Sequence, residues 1–294
     1  MNFKHHLPQR SYTRFIGYSS VLFAASALIH LVVAIARGWD WAGSVSFRKP
    51  VTFAISFALL AAAIWWTLDR LPHRSRLGWG LTIPLVIGSV IETGLITLQS
   101  WRGVASHFNV AEAFDGTVFS LMGITIIIVS LALVGITIWT FVEGPQDRST
   151  RLAVRAGLVM VVLGLGLGMF LIQAGFEFLE RTGSIPESLS VGTAGVAKFP
   201  HAVAFHGVQF LILVVIAGGR VSQATRHTMT RLGVASYSLV LAWATLHTNQ
   251  GRAPLDLAGI ETGLLLSAVG AAAMAGIIWL RGFAIATRRD TLPA

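Results

Sequence analysis

Apolar residues fall in eight long runs, 15–36, 51–68, 77–101, 116–142, 156–176, 199–219, 232–251 and 262–280, separated by short polar connections. Each run meets the roughly 17–25 residues that a helix needs to cross the hydrocarbon core of a bilayer. The runs are continuous, whereas membrane β-strands alternate over about 10 residues. The pattern predicts an all-α integral membrane protein with eight transmembrane helices and no soluble domain.

The polar residues within and beside these runs crowd toward one end of the predicted bundle. His30 lies late in the first run, and Glu92 and Gln99 lie in the later half of the third. His107, Asn109, Glu112 and Asp115 fill the connection to the fourth. Gln173 and Glu177 close the fifth run, His201, His206 and Gln209 open the sixth, His247 and Gln250 close the seventh, and Glu261 precedes the eighth. Helices that alternate in direction put all of these toward one face of the membrane. Ionisable groups inside spans are costly to bury and mark functional positions.

Composition agrees with the membrane class: 54% of residues are hydrophobic, 12% are charged and mean hydropathy is +0.70, against about 25% charged in soluble proteins. The net charge of +9 does not indicate nucleic acid, because the cations sit in the connections. One side holds 15 of the 22 Lys and Arg residues, including Lys4 and Arg10 in the N-terminal segment; the other holds Arg37, Arg48, Lys49, Arg102, Arg181, Lys198 and Arg252. The positive-inside rule then puts both termini in the cytoplasm and the polar cluster on the far side. The basic start runs into a full-length apolar segment with no small-residue cleavage site after it, so no cleavable signal peptide is expected. The absence of cysteine excludes disulfides, thiolate ligands, iron–sulfur clusters and a cysteine nucleophile.

The two halves of the chain resemble each other. Lys49-Pro50 opens the second run, and Lys198-Phe199-Pro200 opens the sixth. Thr97-Leu98, then Gln99 and Arg102, closes the third; Thr245-Leu246, then His247 and Arg252, closes the seventh. Asp115 before the fourth run corresponds to Glu261 before the eighth, and His30 to Gln173. The separations, 143 to 150 residues, are close to half of the 294. A tandem repeat of four helices is predicted, with halves 1–147 and 148–294 and a site between them.

Several chemistries fit these residues. His30, Glu92, His107, His201, His206 and His247 are candidate metal ligands; imidazole with carboxylate suits Zn, Fe or Mn. His201 and His206 are about 140° apart on a helix, a poor spacing for one ion. His30, His206 and His247 are candidate axial ligands of a non-covalent haem. Glu92, His107 and Asp115 are candidate acid–base groups. Lys49, Arg102, Lys198 and Arg252, with Gln99 and Gln209, are candidates for holding an anionic or lipidic small molecule. Gly164 and Gly168 form a GxxxG helix-packing face. The expected function is a metal- or haem-dependent membrane enzyme or redox protein. The alternatives are a small-molecule or proton-coupled transporter with Glu92 as its coupling carboxylate, and a non-catalytic membrane subunit or receptor whose polar groups pair internally.

The strings FRKPVTF (47–53), LQSWRGVASHFN (98–109) and KFPHAVAFHGVQF (198–210) resemble an uncharacterised family of bacterial multi-pass inner-membrane proteins. The resemblance implies a helical bundle in a bacterial inner membrane. It implies no activity, cofactor or site residue.

Overall fold

A computed structural model describes residues 11–38, 43, 45–186 and 194–290. Lys4 and Arg10, used above for orientation, lie outside the described residues. The described chain is all-α. Its helices are α1 (Ser11–Ala36), α2 (Arg48–Leu68), α3 (Ser75–Arg102), α4 (Ala113–Val142), α5 (Arg148–Thr182), α6 (Lys198–Ala217), α7 (Gln223–Asn249) and α8 (Thr262–Asp290), with a 3-10 turn, Gly218–Arg220, after α6. Among the described residues seven helices are both long and apolar enough to cross a membrane. The exception to the expected eight is α7. Its 27 residues suffice in length, but Arg226, His227, Arg231 and His247 dilute its hydropathy. The 35-residue α5 far exceeds its apolar run, because Arg148–Arg155 and Glu177–Arg181 continue the helix as polar turns.

The chain forms two compact units, Met1–Glu143 with Ile172–Glu187, and Gly144–Leu171 with Ser188–Ala294. In the first, α1 packs on α2 and α3, α2 on α3, and α3 on α4. Tyr12 and Ile16 of α1, Ile64 and Leu68 of α2, and Leu133 and Ile136 of α4 are fully buried. Tyr12 reaches its place because position 78 is glycine; a Cβ there would lie 2.6 Å from the ring. The outer ends of the α3–α4 hairpin are pinned where Arg74 Nε donates to both oxygens of Glu143, at 3.1 Å each.

In the second unit α6 packs on α7 and α7 on α8. The first part of α5 lies against α6 along a glycine face that includes the expected GxxxG pair. A Cβ on Gly157 would meet Val208 Cα at 2.6 Å, and one on Gly164 would meet the Phe205 ring at 2.6 Å. Lipid tails are as apolar as leucine, so helices associate through such close packing rather than by leaving water. Arg226 Nη2 ties the start of α7 to Asp147, ahead of α5, at 2.6 Å. Exposed Val21, Leu22, Leu28 and Ile29 on α1, and Leu266, Val269 and Leu280 on α8, suit contact with lipid.

The glycine face yields a paired expectation. Gly157→Ala drives a methyl into the α6 backbone and should destabilise the protein by about 1–3 kcal/mol. Gly166→Ala, in the same helix but with open space around its Cβ, should leave unfolding in mixed detergent micelles unchanged.

Candidate functional site

The ends of α3 and α7 are built alike. After α3, Gly103 takes a left-handed φ of +73°; its N–H donates to Ser100 O (3.3 Å), and the Val104 N–H donates to Gln99 O (3.1 Å). After α7, Gly251 takes φ +69°; its N–H donates to Thr248 O (2.9 Å), and the Arg252 N–H donates to His247 O (3.2 Å). Both are Schellman caps, which need a residue that tolerates positive φ. Gly103 and Gly251 lie 148 residues apart, as do Gln99 and His247. Each cap turns the chain toward an acid at the start of the next helix.

In the first unit that acid is Asp115, 2% exposed in the first turn of α4. Its Oδ1 accepts from Gln99 Nε2 at 2.9 Å and from Arg102 Nη1; its Oδ2 accepts from Asn109 Nδ2 at 3.0 Å. Arg102 also donates to Gln99 Oε1 at 2.5 Å and lies over the Phe114 ring. In the second unit the acid is Glu261, 3% exposed. Its Oε1 lies 3.2 Å from His247 Nδ1 and 3.4 Å from Arg252 Nε. His247 Nε2 is 2.6 Å from Ala253 O, so both ring nitrogens face oxygen acceptors. Each arrangement clasps two helices through an arginine–carboxylate pair with a third polar side chain from the last turn.

Glu92 is different. It lies on α3 two turns before Gln99 and is 3% exposed. Thr125 Oγ1 of α4 donates to its Oε2 at 3.3 Å, and His107 Nε2 lies 3.9 Å from its Oε1. His107 Nδ1 is 3.0 Å from Ser106 Oγ, which accepts from the buried Lys49 Nζ at 3.4 Å. Phe53 and Phe119 wall the imidazole, with ring centroids 5.8 and 6.0 Å away. A row of polar side chains thus runs from Lys49 through Ser106, His107 and Glu92 to Thr125. Among the described residues no arginine or lysine forms an ion pair with Glu92.

The other predicted residues are dispersed. His30 Nδ1 donates to Ser26 O at 2.7 Å and its Nε2 accepts from Trp101 Nε1 at 3.4 Å, which engages both nitrogens. His201 Nδ1 donates to Gly164 O at 2.8 Å, and its ring fills the notch left by Gly168. His206 is half-buried on α6. The Gln209 amide nitrogen, so oriented, donates to Phe205 O at 2.9 Å within its own helix. Lys198 is the half-buried first residue of α6. The structure therefore brings together Lys49, Glu92, Gln99, Arg102, His107 and Asp115 in the first unit, and His247 with Arg252 in the second. The six proposed metal ligands are not gathered: among the described residues no three His, Asp or Glu side chains come together to hold a metal ion. Helix depth alone had aligned them, and depth says nothing of the direction in which each side chain points.

Sequence reading missed Ser106, Thr125, Phe108 and Gly175. Phe108 has φ +57°, the one non-glycine residue with positive φ among those described, a conformation that costs an L-residue about 1–2 kcal/mol. Its ring packs on Phe119 (5.1 Å) and edge-on to Phe176 (5.5 Å). A Cβ on Gly175 would lie 2.1 Å from Phe108 Cζ. A glycine near the end of an apolar helix was the only available signal of this close approach.

No protein-family model, curated protein or solved structure matches this chain. The resemblance noted from its sequence strings extends no further than a multi-pass helical membrane protein.

The second clasp carries a pH dependence. Glu261's own backbone N–H, and then His247 and Arg252, hold its carboxyl below the usual carboxylate range against the opposing effect of burial. A depressed carboxyl contributes stability above its unfolded-state value and loses it as pH falls through the folded value. The melting temperature in detergent should therefore fall on acidification across that range. Glu261→Gln should melt lower at neutral pH and lack this part of the acid dependence.

Proposed function

We propose that the chain is a proton-handling membrane protein in which Glu92 and His107 exchange a proton, with Ser106 of the α3–α4 connection and Lys49 of α2 continuing the path. The observation that carries this reading is the contrast among the buried carboxylates. Asp115 and Glu261 are each held by an arginine, which favours one charge state. Glu92 faces an imidazole and a hydroxyl instead. Carboxyl and imidazole can each hold or release a proton, and a hydroxyl can donate and accept at once. The 3.9 Å between Glu92 Oε1 and His107 Nε2 is closed by a small side-chain movement or one water. The chemistry is that of a proton-coupled transporter or of acid–base catalysis at the membrane. Arg102 and Arg252 are committed to Asp115 and Glu261, so capture of an anionic small molecule is not part of the reading. Nor is a metal or haem required, since the nitrogens of His30 and His247 are already engaged.

The same reading takes α7 as an eighth span and the chain as two four-helix halves, 1–147 and 148–294, in a bacterial inner membrane with both termini cytoplasmic. The polar residues of α7 support its crossing by being engaged within the protein: Ser236 Oγ donates to Ala268 O (2.8 Å) and Tyr237 OH to Val203 O (2.9 Å). The repeat is supported by the two Schellman caps 148 residues apart and the acid clasp that follows each.

Infrared difference spectra of the protein in liposomes, recorded against pH, test the proton reading. A protonated-carboxyl band should appear on acidification and be lost in Glu92→Gln. Its midpoint should move by roughly one pH unit in His107→Ala, the size expected when one interacting ionisable neighbour is removed. A spectrum unchanged in Glu92→Gln would sink the proposal. Stoichiometric metal in the same preparation would return the case to a metalloenzyme. For topology, membrane-impermeant labels should reach tags at both termini from the same face; opposite faces would mean that α7 does not cross.

A further inference from the structure

We infer that Phe108, seated against Gly175, is a positioning residue that holds His107 within reach of Glu92; the inference rests on the proton reading above. His107 lies on no helix. Its place is set by the connection between α3 and α4, which is anchored at one end by the Gly103 cap and near the other by Asn109. The Asn109 amide donates both to Ala105 O at 3.2 Å and to Asp115 Oδ2 at 3.0 Å. Between these anchors Phe108, immediately after His107, takes the left-handed φ of +57°. A phenylalanine stays in that conformation only where surrounding contacts over-determine it.

Those contacts are specific. The Phe108 ring is wedged between Phe119 of α4 and Phe176 of α5, over the bare backbone of Gly175. The space is closed to any side chain at 175: an added Cβ would lie 2.1, 2.5 and 2.9 Å from three atoms of the ring. Phe119 also walls the His107 imidazole at 6.0 Å. One aromatic surface therefore locates two adjacent residues, and displacing Phe108 withdraws both the backbone turn and the shared wall that aim the imidazole at Glu92. Among the described residues, Lys49 of α2 reaches the pair through Ser106, and Asp115 of α4 is tied to Asn109 of the same connection. From α5 the contacts with Phe108 are Gly175 and Phe176, neither of them charged.

The test uses the full-length protein in liposomes and the carboxyl band that disappears in Glu92→Gln. Gly175→Ala, which evicts the ring, and Phe108→Ala, which removes it without adding atoms, should each move the midpoint of that band by roughly one pH unit, to the value seen in His107→Ala. Helix content should be unchanged. Adding Phe108→Leu to Gly175→Ala shortens the colliding side chain and should restore the wild-type midpoint, a rescue that general loosening would not produce. If Gly175→Ala does not fold, Phe108→Ala carries the test. A wild-type midpoint in folded Phe108→Ala would overturn the inference while leaving the Glu92 reading intact. No Glu92-dependent band in the wild type would overturn the proton reading, and this inference with it.

Discussion

A carboxylate removed from water must find its compensation inside its own fold, and the ends of α3 and α7 are organised by that requirement. Desolvating an ionised group costs several kcal/mol, and only close, well-directed partners repay it. Asp115 receives three side-chain donors, from Gln99, Arg102 and Asn109. Glu261 lies against His247 and Arg252. In each case the donors come from the last turn of one helix or the connection after it, and the acid stands at the start of the next helix. The geometry works because a left-handed glycine ends the helix within one residue and turns the chain back.

Close approach is the second constraint. Helix surfaces in a bilayer gain little from apolar character alone, and here they meet where a side chain is missing. Tyr12 lies on Gly78, Val208 on Gly157, His201 on Gly168 and Phe108 on Gly175. These notches seat aromatic and imidazole rings as well as an aliphatic side chain. The notch at Gly168 and the carbonyl of Gly164 together seat the His201 ring. The notch at Gly175 seats the residue next to His107.

Once the arginines are assigned, Glu92 stands apart. Its partners are the Thr125 hydroxyl and the His107 imidazole rather than an arginine. The two clasps close differently: Gln99 brings an amide to Asp115, whereas His247 brings an imidazole to Glu261.

Long apolar runs compel helices wherever backbone polar groups have no water to bind, so the sequence alone determined the all-α membrane class and the number of helices. That Arg102 can reach Asp115, and Arg252 Glu261, also follows from position, because a helix end and the start of the next must be neighbours when the connection is short. The direction of each side chain around its helix was not legible. Depth grouped His30, Glu92, His107, His201, His206 and His247 as one ligand set, while the orientation of the side chains puts His30 against Trp101, His201 against Gly164 and His247 against Glu261. The row from Lys49 to Glu92, and the strained Phe108 that borders it, depend on how a connection folds over three helices. Those contacts are decided by packing across the chain, and only the tertiary structure decided them.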